Sequence, residues 1–344
     1  MPHDVFRSDL QLMPAGHVMS ALVRRLAIVL AGTLQSVGPV VAQEWPARPI
    51  TMVIPFAAGG APDLLGRILA PELGRHLGQT VIIENAGGAG GMAGSARVAK
   101  AASDGYQLVL GSSGSHAVSQ TLFRRPLYNA ATDFTPVALI ADQPVLLVVR
   151  KDLPVSTLSE FVDYARGSQA EMQYGSAGPG SGTHLACMRL NMALGIRAAH
   201  VPYRGGTPAM QDLVAGRIDY QCTTSSAVGY IESKAVKAIA VLATERTPLL
   251  PQIPSAQEQG LADFEAEVWF GVFLPRATPE PIVAKLNAAC LGAMGSAAFA
   301  EQVRRIAASV VAPWRRSPEY LQKFVESEIE KWAGPIKAAG IGMD

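Results

Sequence analysis

The residues with the clearest chemical potential are the small and hydroxyl-bearing ones in turns that follow apolar segments. Three such turns occupy residues 56–60, 111–116 and 175–184. Glycine lets the backbone approach a ligand closely, and the first N–H groups of a helix have no partners within it. A turn of this kind can hold an anion with N–H groups and hydroxyls alone. The three turns therefore indicate anion binding without charged side chains.

The first turn follows an apolar segment, residues 50–54, that is typical of a buried strand. Residues 64–70 have helical periodicity, and Asp63 is placed to cap that helix. Strand, glycine turn and helix start together favour anion binding. An ordinary connection between a strand and a helix has the same pattern. Both interpretations stay open for this stretch alone.

The third turn has the strongest pattern. Residues 175–184 contain four glycines, with hydroxyls at Ser176, Ser181 and Thr183, and a helix is predicted to start near Thr183. We favour ligand contact over a flexible loop because glycines, hydroxyls and a helix start coincide. The turn at residues 111–116 also carries hydroxyls, and these match the hydroxyls of the third turn.

Motifs for catalysis are missing from the sequence. It contains no G-x-S-x-G, Walker A or H-E-x-x-H motif. Residues 88–93 fit a dinucleotide-binding pattern, but no acid ends the next predicted strand. His116 and His184 are predicted to form hydrogen bonds within their turns rather than to bind metal. We therefore predict a binding protein with no catalytic residues, no metal and no cofactor.

The charge composition limits the partners. The chain has 29 basic and 28 acidic residues, a net charge of +1. Such a chain has no field that attracts nucleic acid or another polyanion, so no nucleic-acid partner is predicted. Its 344 residues are enough for two domains of ordinary size.

The N-terminus is typical of a secretory signal. Two basic residues, Arg24 and Arg25, precede a short apolar segment, residues 26–32, and small residues end the region at Ala42. We predict a signal peptide over residues 1–42, cleaved near Ala42, with Met19 as an alternative start. No later apolar run is long enough to span a bilayer, so the mature chain is predicted to be periplasmic and not membrane-embedded.

Cys187, Cys222 and Cys290 are too few and too scattered for a metal cluster or a disulfide scaffold. The simplest interpretation of the three cysteines is that they are small buried residues. In an oxidising compartment, Cys187 and Cys222 are the candidates for a single bridge.

The elements that carry these turns alternate between strand and helix along the chain. This alternation predicts parallel α/β sheets, with ligands bound beyond the C-terminal ends of the strands. The same pattern occurs twice, which predicts lobe 1 from residues 43–147 and 270–344 and lobe 2 from residues 148–269, with a ligand cleft between them. Trp269 lies where the chain is predicted to pass back from lobe 2 to lobe 1. It is interpreted either as a lid on the cleft or as part of the hinge core.

Several of these segments occur in an order that resembles one known family. They are Trp45-Pro46-Ala47-Arg48-Pro49-Ile50, Pro55-Phe56-Ala57-Ala58-Gly59-Gly60, the Asn85–Gly91 glycine run, Asp104-Gly105-Tyr106, Tyr174-Gly175-Ser176-Ala177-Gly178, Thr183-His184-Leu185-Ala186 and His200-Val201-Pro202-Tyr203-Arg204-Gly205. Together they resemble the Bug/TctC family, the solute receptors of tripartite tricarboxylate transporters. The resemblance implies a type II periplasmic binding-protein fold that closes on a small carboxylate, held by backbone amides and bridging waters.

The resemblance also implies a set of ligand-binding residues. They are Phe56, Ala57, Ala58, Gly59, Gly60, Asp63, Ser112, Ser113 and His116 in lobe 1, and Ser176, Gly178, Ser181, Thr183, His184, Tyr203, Gly205, Gly206 and Asp219 in lobe 2. For Asp219, a bond to nearby backbone is the alternative to ligand contact. The chain departs from the family pattern at Pro62, where relatives carry a threonine, and at Ala86, where they carry a basic residue.

The expected function is a receptor that binds a dicarboxylate, tricarboxylate, amino acid or aromatic acid for uptake by a tripartite tricarboxylate-type transporter. The alternative is a co-receptor that presents its ligand state to a membrane sensor protein. An exported α/β enzyme is the least favoured. The expected partners are the carboxylate and either transporter subunits or a sensor, and the chain is expected to be a monomer.

Overall fold

The computed structural model describes residues 44–168, 172–338 and 342. The chain divides into two units, Met1–Glu44 and Trp45–Asp344, and the second contains every element given below. The predicted signal peptide, the alternative start at Met19 and the cleavage site near Ala42 lie outside the described residues.

Six strands form the first sheet. They are β1 (Ile50–Ile54), β2 (Val81–Asn85), β3 (Gln107–Ser112), β4 (Phe134–Pro144), β10 (Glu267–Pro275) and β11 (Ser309–Val310). Their order across the sheet is β11-β4-β10-β3-β1-β2. β1 pairs in parallel with β2 and β3, and β10 runs antiparallel to β3 and β4. We call the part of the chain built on this sheet lobe 1.

Five strands form the second sheet. They are β5 (Leu146–Arg150), β6 (Met172–Ser176), β7 (Ala198–Pro202), β8 (Tyr220–Thr223) and β9 (Val236–Val241). Their order is β7-β6-β8-β5-β9, with β6 parallel to β7 and β8, and β5 antiparallel to β8 and β9. We call the part built on this sheet lobe 2. The predicted α/β architecture with two lobes is confirmed.

Helices connect and cover the strands. Those among the described residues are α1 (Ala61–Leu77), α2 (Met92–Ala99), α3 (Ser119–Leu122), α4 (Leu158–Gly167), α5 (Gly182–Leu194), α6 (Gly206–Val214), α7 (Val228–Glu232), α8 (Glu280–Met294), α9 (Ala297–Arg304) and α10 (Pro318–Ala338). Within this part of the chain, no single helix has the length and apolarity needed to cross a bilayer. The bent pair α8 and α9 meets both criteria only when the two are counted together.

Apolar spacing explains how these helices pack on the sheets. In α1, Leu65, Leu69 and Leu73 recur every four residues and are fully buried. Each buried leucine contributes roughly 2 kcal/mol of hydrophobic stabilisation. β1 lies beneath this helix and buries Ile50 and Met52 completely. This packing fixes the start of α1 at the end of β1.

The predicted start of the first helix is wrong. The helix after β1 begins at Ala61 rather than Leu64, and Gly60 rather than Asp63 precedes it as the cap. Pro62 is compatible with this earlier start, because a first-turn residue needs no N–H for the helix. The apolar segment at residues 144–149 spans the junction of two strands, since β4 ends at Pro144 and β5 starts at Leu146.

Candidate ligand-binding site

Residues from both lobes enclose a small cavity of about 40 Å³. A single buried water needs roughly 10–15 Å³, so the cavity has room for about three waters. It lies beyond the C-terminal ends of β1, β3, β6 and β8, where ligands bind in parallel α/β sheets. The lining residues are Phe56, Gly60, Ala61, Pro62 and Ser112 in lobe 1, Ala177, Ser181, Gly182, Thr183, Gly206, Thr223, Thr224 and Ser226 in lobe 2, and Val268 and Phe270 on β10.

The start of α1 forms the lobe 1 wall of the cavity. Gly60 precedes the helix, and its backbone is extended with no side chain to cap the first turn. The first N–H groups of α1 therefore lack an intrahelical partner. Pro62 has neither an N–H nor a hydroxyl, so this turn supplies two donors fewer than a turn with threonine there would. Ser112, at the end of β3, adds a hydroxyl beside the helix start.

Asp63 shapes this turn without facing a ligand. Its carboxylate accepts hydrogen bonds from Gly59 N at 2.9 Å, Arg67 Nε at 2.9 Å and Asn85 Nδ2 at 3.0 Å. Burial alone would raise the pKa of Asp63, but these hydrogen bonds outweigh burial and leave that pKa below its usual value. The carboxylate is thus fully engaged in holding the glycine turn against α1.

The start of α5 forms a second wall. Ser181 caps the helix, and its Oγ accepts the backbone N–H of His184 at 3.2 Å and donates to Gly178 O at 2.7 Å. Thr183 Oγ1 accepts the N–H of Ala177 at 3.1 Å. These bonds hold the turn in one conformation.

A third group of cavity-lining residues was not predicted from the sequence. Thr223, Thr224 and Ser226 follow β8 and line the cavity beside Gly206, the first residue of α6. The signal in the sequence is the run Thr-Thr-Ser-Ser over residues 223–226, directly after a predicted strand. Such runs are common in ordinary turns, and only the pairing of β8 with β5 and β6 brings this one to the cavity.

Among the residues that the structure describes, none with a charged side chain lines the cavity. Instead, α1, α5 and α6 all begin at its wall, and the partial positive charge of each helix start favours a negative ligand. Hydroxyls from both lobes add neutral donors. The arrangement can hold an anion by oriented dipoles in a desolvated space, where dipoles act more strongly than in water.

Some predicted site residues lie where the two lobes touch, beside the cavity rather than in its lining. The N–H of Ala57 donates to Arg204 O at 3.3 Å, and Thr207 Oγ1 donates to Ala58 O at 3.2 Å. Gly59 and Gly205 pack in the same contact, against Thr207 and Ala57 respectively. These residues hold the lobes together around the cavity.

Other predicted site residues are buried behind the cavity wall. His116 is fully buried, and its ring stacks on Phe273 with the centroids 4.1 Å apart. Ser176 Oγ lies 2.7 Å from His200 Nε2 and accepts the N–H of Gly178 at 3.1 Å. His184 Nδ1 accepts the N–H of Gly180 at 3.2 Å. His116 Nδ1 lies 2.9 Å from Ser115 Oγ, so both histidines bond locally, as expected.

Two residues predicted for the far side of the pocket are engaged elsewhere. The Asp219 carboxylate accepts hydrogen bonds from Arg150 Nε at 3.0 Å and from the N–H of Gln173 at 2.8 Å. The Tyr203 hydroxyl donates to Asp212 at 2.7 Å. The structure places neither residue in the cavity lining, and for Asp219 it supports the bond to nearby backbone over ligand contact.

Glycines allow the two lobes to meet backbone to backbone. A Cβ on Gly90 in lobe 1 would lie 2.0 Å from Pro179 O in lobe 2, and one on Gly114 would lie 2.8 Å from Gly182 N. Both distances are far below van der Waals contact, so only hydrogen fits at these positions. We call these two contacts the glycine contacts. They show that the lobes are closed on the cavity.

Ser113 lies at the second of these contacts. Its Oγ is buried and lies 2.9 Å from the place a Gly182 Cβ would take. It therefore contributes to the junction between the lobes rather than to the cavity lining.

Trp269 belongs to the hinge core. It is 3 % exposed, and its Nε1 donates to Glu328 on α10 at 3.0 Å. Trp332 on the same helix donates to the same carboxylate at 3.2 Å. Of the two interpretations of Trp269, the structure supports hinge core and not a lid.

Buried histidines lie directly behind the cavity wall. The rings of His184 and His200 stack with centroids 4.0 Å apart. Burial, reinforced by the nearness of His200, lowers the pKa of His184 to about 3, and burial lowers the pKa of His200 to about 4. Burial likewise lowers the pKa of His116 to about 3. All three rings are therefore neutral in the folded protein at neutral pH.

We expect the free energy of unfolding to fall as the pH drops below about 6.5. The unfolded chain binds protons on His116 and His184 near pH 6.5, whereas the folded protein excludes them until about pH 3. The stabilisation is complete above pH 6.5 and is lost at roughly 1.4 kcal/mol per pH unit for each of these rings. Urea unfolding between pH 7 and pH 4.5 measures this slope. His116→Asn cannot be protonated and should have a smaller slope; an unchanged slope would contradict the assignment.

This combination of fold and site defines a class of protein. Two α/β lobes, joined by crossing strands and closed on a small anion-favouring cavity, are the architecture of a hinged solute-binding protein. A family model described as "Tripartite tricarboxylate transporter family receptor" matches residues 65–341. The chain belongs to this family, whose members are periplasmic binding proteins, as the order of its motifs predicted.

Three members of the family are similar to this chain over most of its length. Protein BugT of Bordetella pertussis is 33% identical over 324 residues, which cover 94% of this chain and 98% of BugT. The structure of MatC from Rhodopseudomonas palustris with bound malate is 41% identical, with a TM-score of 0.81, over 84% of this chain and 99% of MatC. A second R. palustris protein, with adipate, is 36% identical, with a TM-score of 0.82, over 87% of this chain and 99% of that one.

Proposed function

We propose that this chain is a periplasmic receptor that binds a small organic carboxylate between its lobes, for uptake by a tripartite tricarboxylate-type transporter. The observation that carries the proposal is the meeting of three helix starts at one uncharged cavity. Free N–H groups and helix dipoles at one point favour an anion over any neutral or cationic ligand. The malate and adipate of the two R. palustris structures are carboxylates, which supports the same class.

We further propose how the carboxylate is held. One carboxylate group lies between the starts of α1 and α5, where it accepts hydrogen bonds from backbone N–H groups and from Ser112. None of the described lining residues has a cationic side chain that could neutralise its charge. Backbone dipoles are fixed before the ligand arrives, so binding requires little reorganisation of the protein. Closure of the lobes then excludes water and strengthens each hydrogen bond.

A screen of organic acids by thermal unfolding tests the class of ligand. A ligand present at a hundred times its dissociation constant adds about 2.7 kcal/mol to the unfolding free energy. For a protein of this size that corresponds to a rise in Tm of roughly 5 °C. Stabilisation by carboxylic acids but not by the matching amides supports the proposal. If no acid raises the Tm, the proposed function is wrong.

Gly60→Asp should abolish this stabilisation. A side chain fits at this position, because a Cβ there would lie 3.5 Å from its nearest neighbour, Ala57 O. Aspartate is a favourable N-cap, so folding should be preserved. Its charge would compete with the ligand for the start of α1, and we expect affinity to fall at least a hundredfold by titration calorimetry.

Gly60→Asn is the matched control, since it has the same shape and no charge. We expect it to retain much more affinity than Gly60→Asp. Equal losses in the two variants would mean that the side chain blocks the cavity sterically, and the anion site would then not be supported.

A further inference from the structure

A second, wider pocket lies at the surface where the two lobes meet. Its volume is about 510 Å³. Its lining comes from residues 87–89 and Phe123 in lobe 1, and from Pro179 and residues 202–204 in lobe 2. None of these residues lines the ligand cavity, so the two sites are separate. We call this second pocket the seam pocket.

The closed arrangement of the lobes builds the seam pocket. The carbonyl oxygen of Arg204 accepts the N–H of Ala57 across the lobe boundary at 3.3 Å, and a Cβ on Gly87 would lie 2.8 Å from the same oxygen. Pro179 meets Gly90 at one of the glycine contacts. Opening of the lobes would carry the lobe 2 half of the lining away from the lobe 1 half. A partner that contacts both halves therefore binds the closed form alone.

Arg204 supplies the only charge among the described lining residues. Its side chain is exposed, and its guanidinium makes no hydrogen bond or ion pair with any residue that the structure describes. Asp212, which accepts a hydrogen bond from the Tyr203 hydroxyl, is already paired with Arg217. Arginine holds carboxylates well because its planar N–H groups match both oxygens. The seam pocket therefore presents a cation that complements an acidic group.

The rest of the seam pocket suits a protein segment. Phe123 and Tyr203 contribute aromatic rings, and Pro179 and Pro202 contribute rigid apolar surface. Aromatic residues and arginine are enriched in protein interfaces and carry much of their binding energy. Sites for small molecules bury most of their occupant, whereas Pro202 and Arg204 are exposed here. A segment with an acidic residue beside an apolar one matches both the charge and the apolar lining.

We propose that the seam pocket docks an acidic segment of the membrane-embedded transporter subunits, with the carboxylate of that segment on Arg204. This inference rests on the proposed function, which supplies the transporter as the partner. Because the two halves of the pocket meet in the closed form, docking favours the ligand-loaded receptor over the empty one. By reciprocity, the docked subunits strengthen ligand binding by the same factor.

Arg204→Glu tests this docking surface in cells of the organism that makes the protein, after deletion of the receptor gene. The full chain is supplied as wild type or variant, and uptake of radiolabelled malate, adipate and citrate is measured. We expect uptake to fall about tenfold, because like charges repel across an interface. The affinity of the purified receptor for the same acids, by titration calorimetry, should be unchanged, since the carbonyl that accepts the N–H of Ala57 is backbone and is retained.

Arg197→Glu is the matched control. Arg197 precedes β7 whereas Arg204 follows it, and both side chains are exposed and without partners among the described residues. The change of charge is the same, but it lies at the opposite end of the strand from the seam pocket, so uptake should stay at the wild-type level. Arg204→Lys keeps the charge and should retain most of the uptake. Equal uptake by the two glutamate variants would overturn the proposal.

Ala89→Glu tests the lobe 1 half of the pocket. Ala89 is exposed and already holds a Cβ at a φ of +47°, so a longer side chain adds no backbone strain. A carboxylate here would attract Arg204 and repel an acidic partner, and we expect uptake to fall about tenfold. Ala89→Gln, with the same shape and no charge, should keep more uptake. If only the Arg204 variant loses uptake, the partner contacts one lobe and selection of the closed form is wrong.

The outcomes separate this proposal from the one on which it rests. If Arg204→Glu restores uptake as well as the wild type does, the seam pocket is not the docking surface, while the receptor function stands. If Arg204→Glu weakens ligand binding as much as uptake, the residue acts on closure and the docking proposal is again wrong. If the wild type restores uptake of none of the acids, the transport function fails, and docking to the transporter fails with it.

Discussion

Gly90→Ala should weaken ligand binding about a hundredfold while the protein stays folded. The added Cβ would lie 2.0 Å from Pro179 O, and this neighbour is backbone that cannot rotate away. The lobes must therefore separate at this contact. A cleft held apart loses the hydrogen bonds of one wall, and two such bonds at about 1.4 kcal/mol each correspond to a factor of a hundred. Neither Gly90 nor Pro179 lines the cavity, so the loss would come from closure alone.

Gly78→Ala is the control for backbone strain in this experiment. Gly78 also lies in lobe 1 and has a φ of +71°, close to the +63° of Gly90, but a Cβ there meets nothing within 4 Å. Both variants should lose roughly 1 kcal/mol of stability from the left-handed backbone. Only Gly90→Ala should lose affinity. If the two variants bind alike, the glycine contacts do not limit closure. Small-angle scattering with saturating ligand should show the Gly90→Ala variant as the more extended of the two.

Replacing both Cys187 and Cys222 by alanine should lower the unfolding free energy by roughly 3–4 kcal/mol. The two residues form a disulfide that joins α5 to β8 and closes a loop with a sequence separation of 35. A bridge over a loop of this length restricts the unfolded chain by about that amount in the loop-entropy account. This pairing was one of two alternatives for the cysteines in the sequence, and it is confirmed.

Urea unfolding of the double variant, with and without reductant, measures the effect. Cys290→Ala is the control, because Cys290 is equally buried and unbridged. It should lose only the packing of one sulfur, about 1 kcal/mol. Reductant present during unfolding should lower the stability of the wild type towards that of the double variant and leave the double variant unchanged. A double variant as stable as Cys290→Ala would show that the bridge adds nothing beyond packing.

The parts of this fold that the sequence predicted are those set by local rules. The repeated order of strand, glycine turn and helix needs only neighbouring residues, and it led to the two lobes and to a helix directly after each glycine turn. The placement of Asp63 as a cap was wrong because Pro62 tolerates helical backbone, so the helix could start earlier. Such boundaries depend on one or two residues and are difficult to predict from pattern.

The features that the sequence did not predict depend on contacts between residues far apart in the chain. His116 lies in the core because Phe134 and Phe273, far apart in sequence, both pack against its ring. Thr223 and Thr224 reach the cavity only because β8 pairs with strands on either side of it. The local sequence shows that a run of residues carries hydroxyls. It does not show which surface of the folded protein those hydroxyls reach. The resemblance to the family did not supply these threonines either.

The absence of charge from the cavity lining also bears on how fast the receptor captures its ligand. With a net charge of +1 and a neutral cavity wall, neither a long-range field nor a local cation draws an anion towards the cleft. Electrostatic steering raises association rates for charged clefts and fades as salt is added. Capture by this receptor instead depends on ordinary diffusion and on the time the lobes spend apart. The rate at which it binds ligand should therefore stay nearly constant as the ionic strength changes.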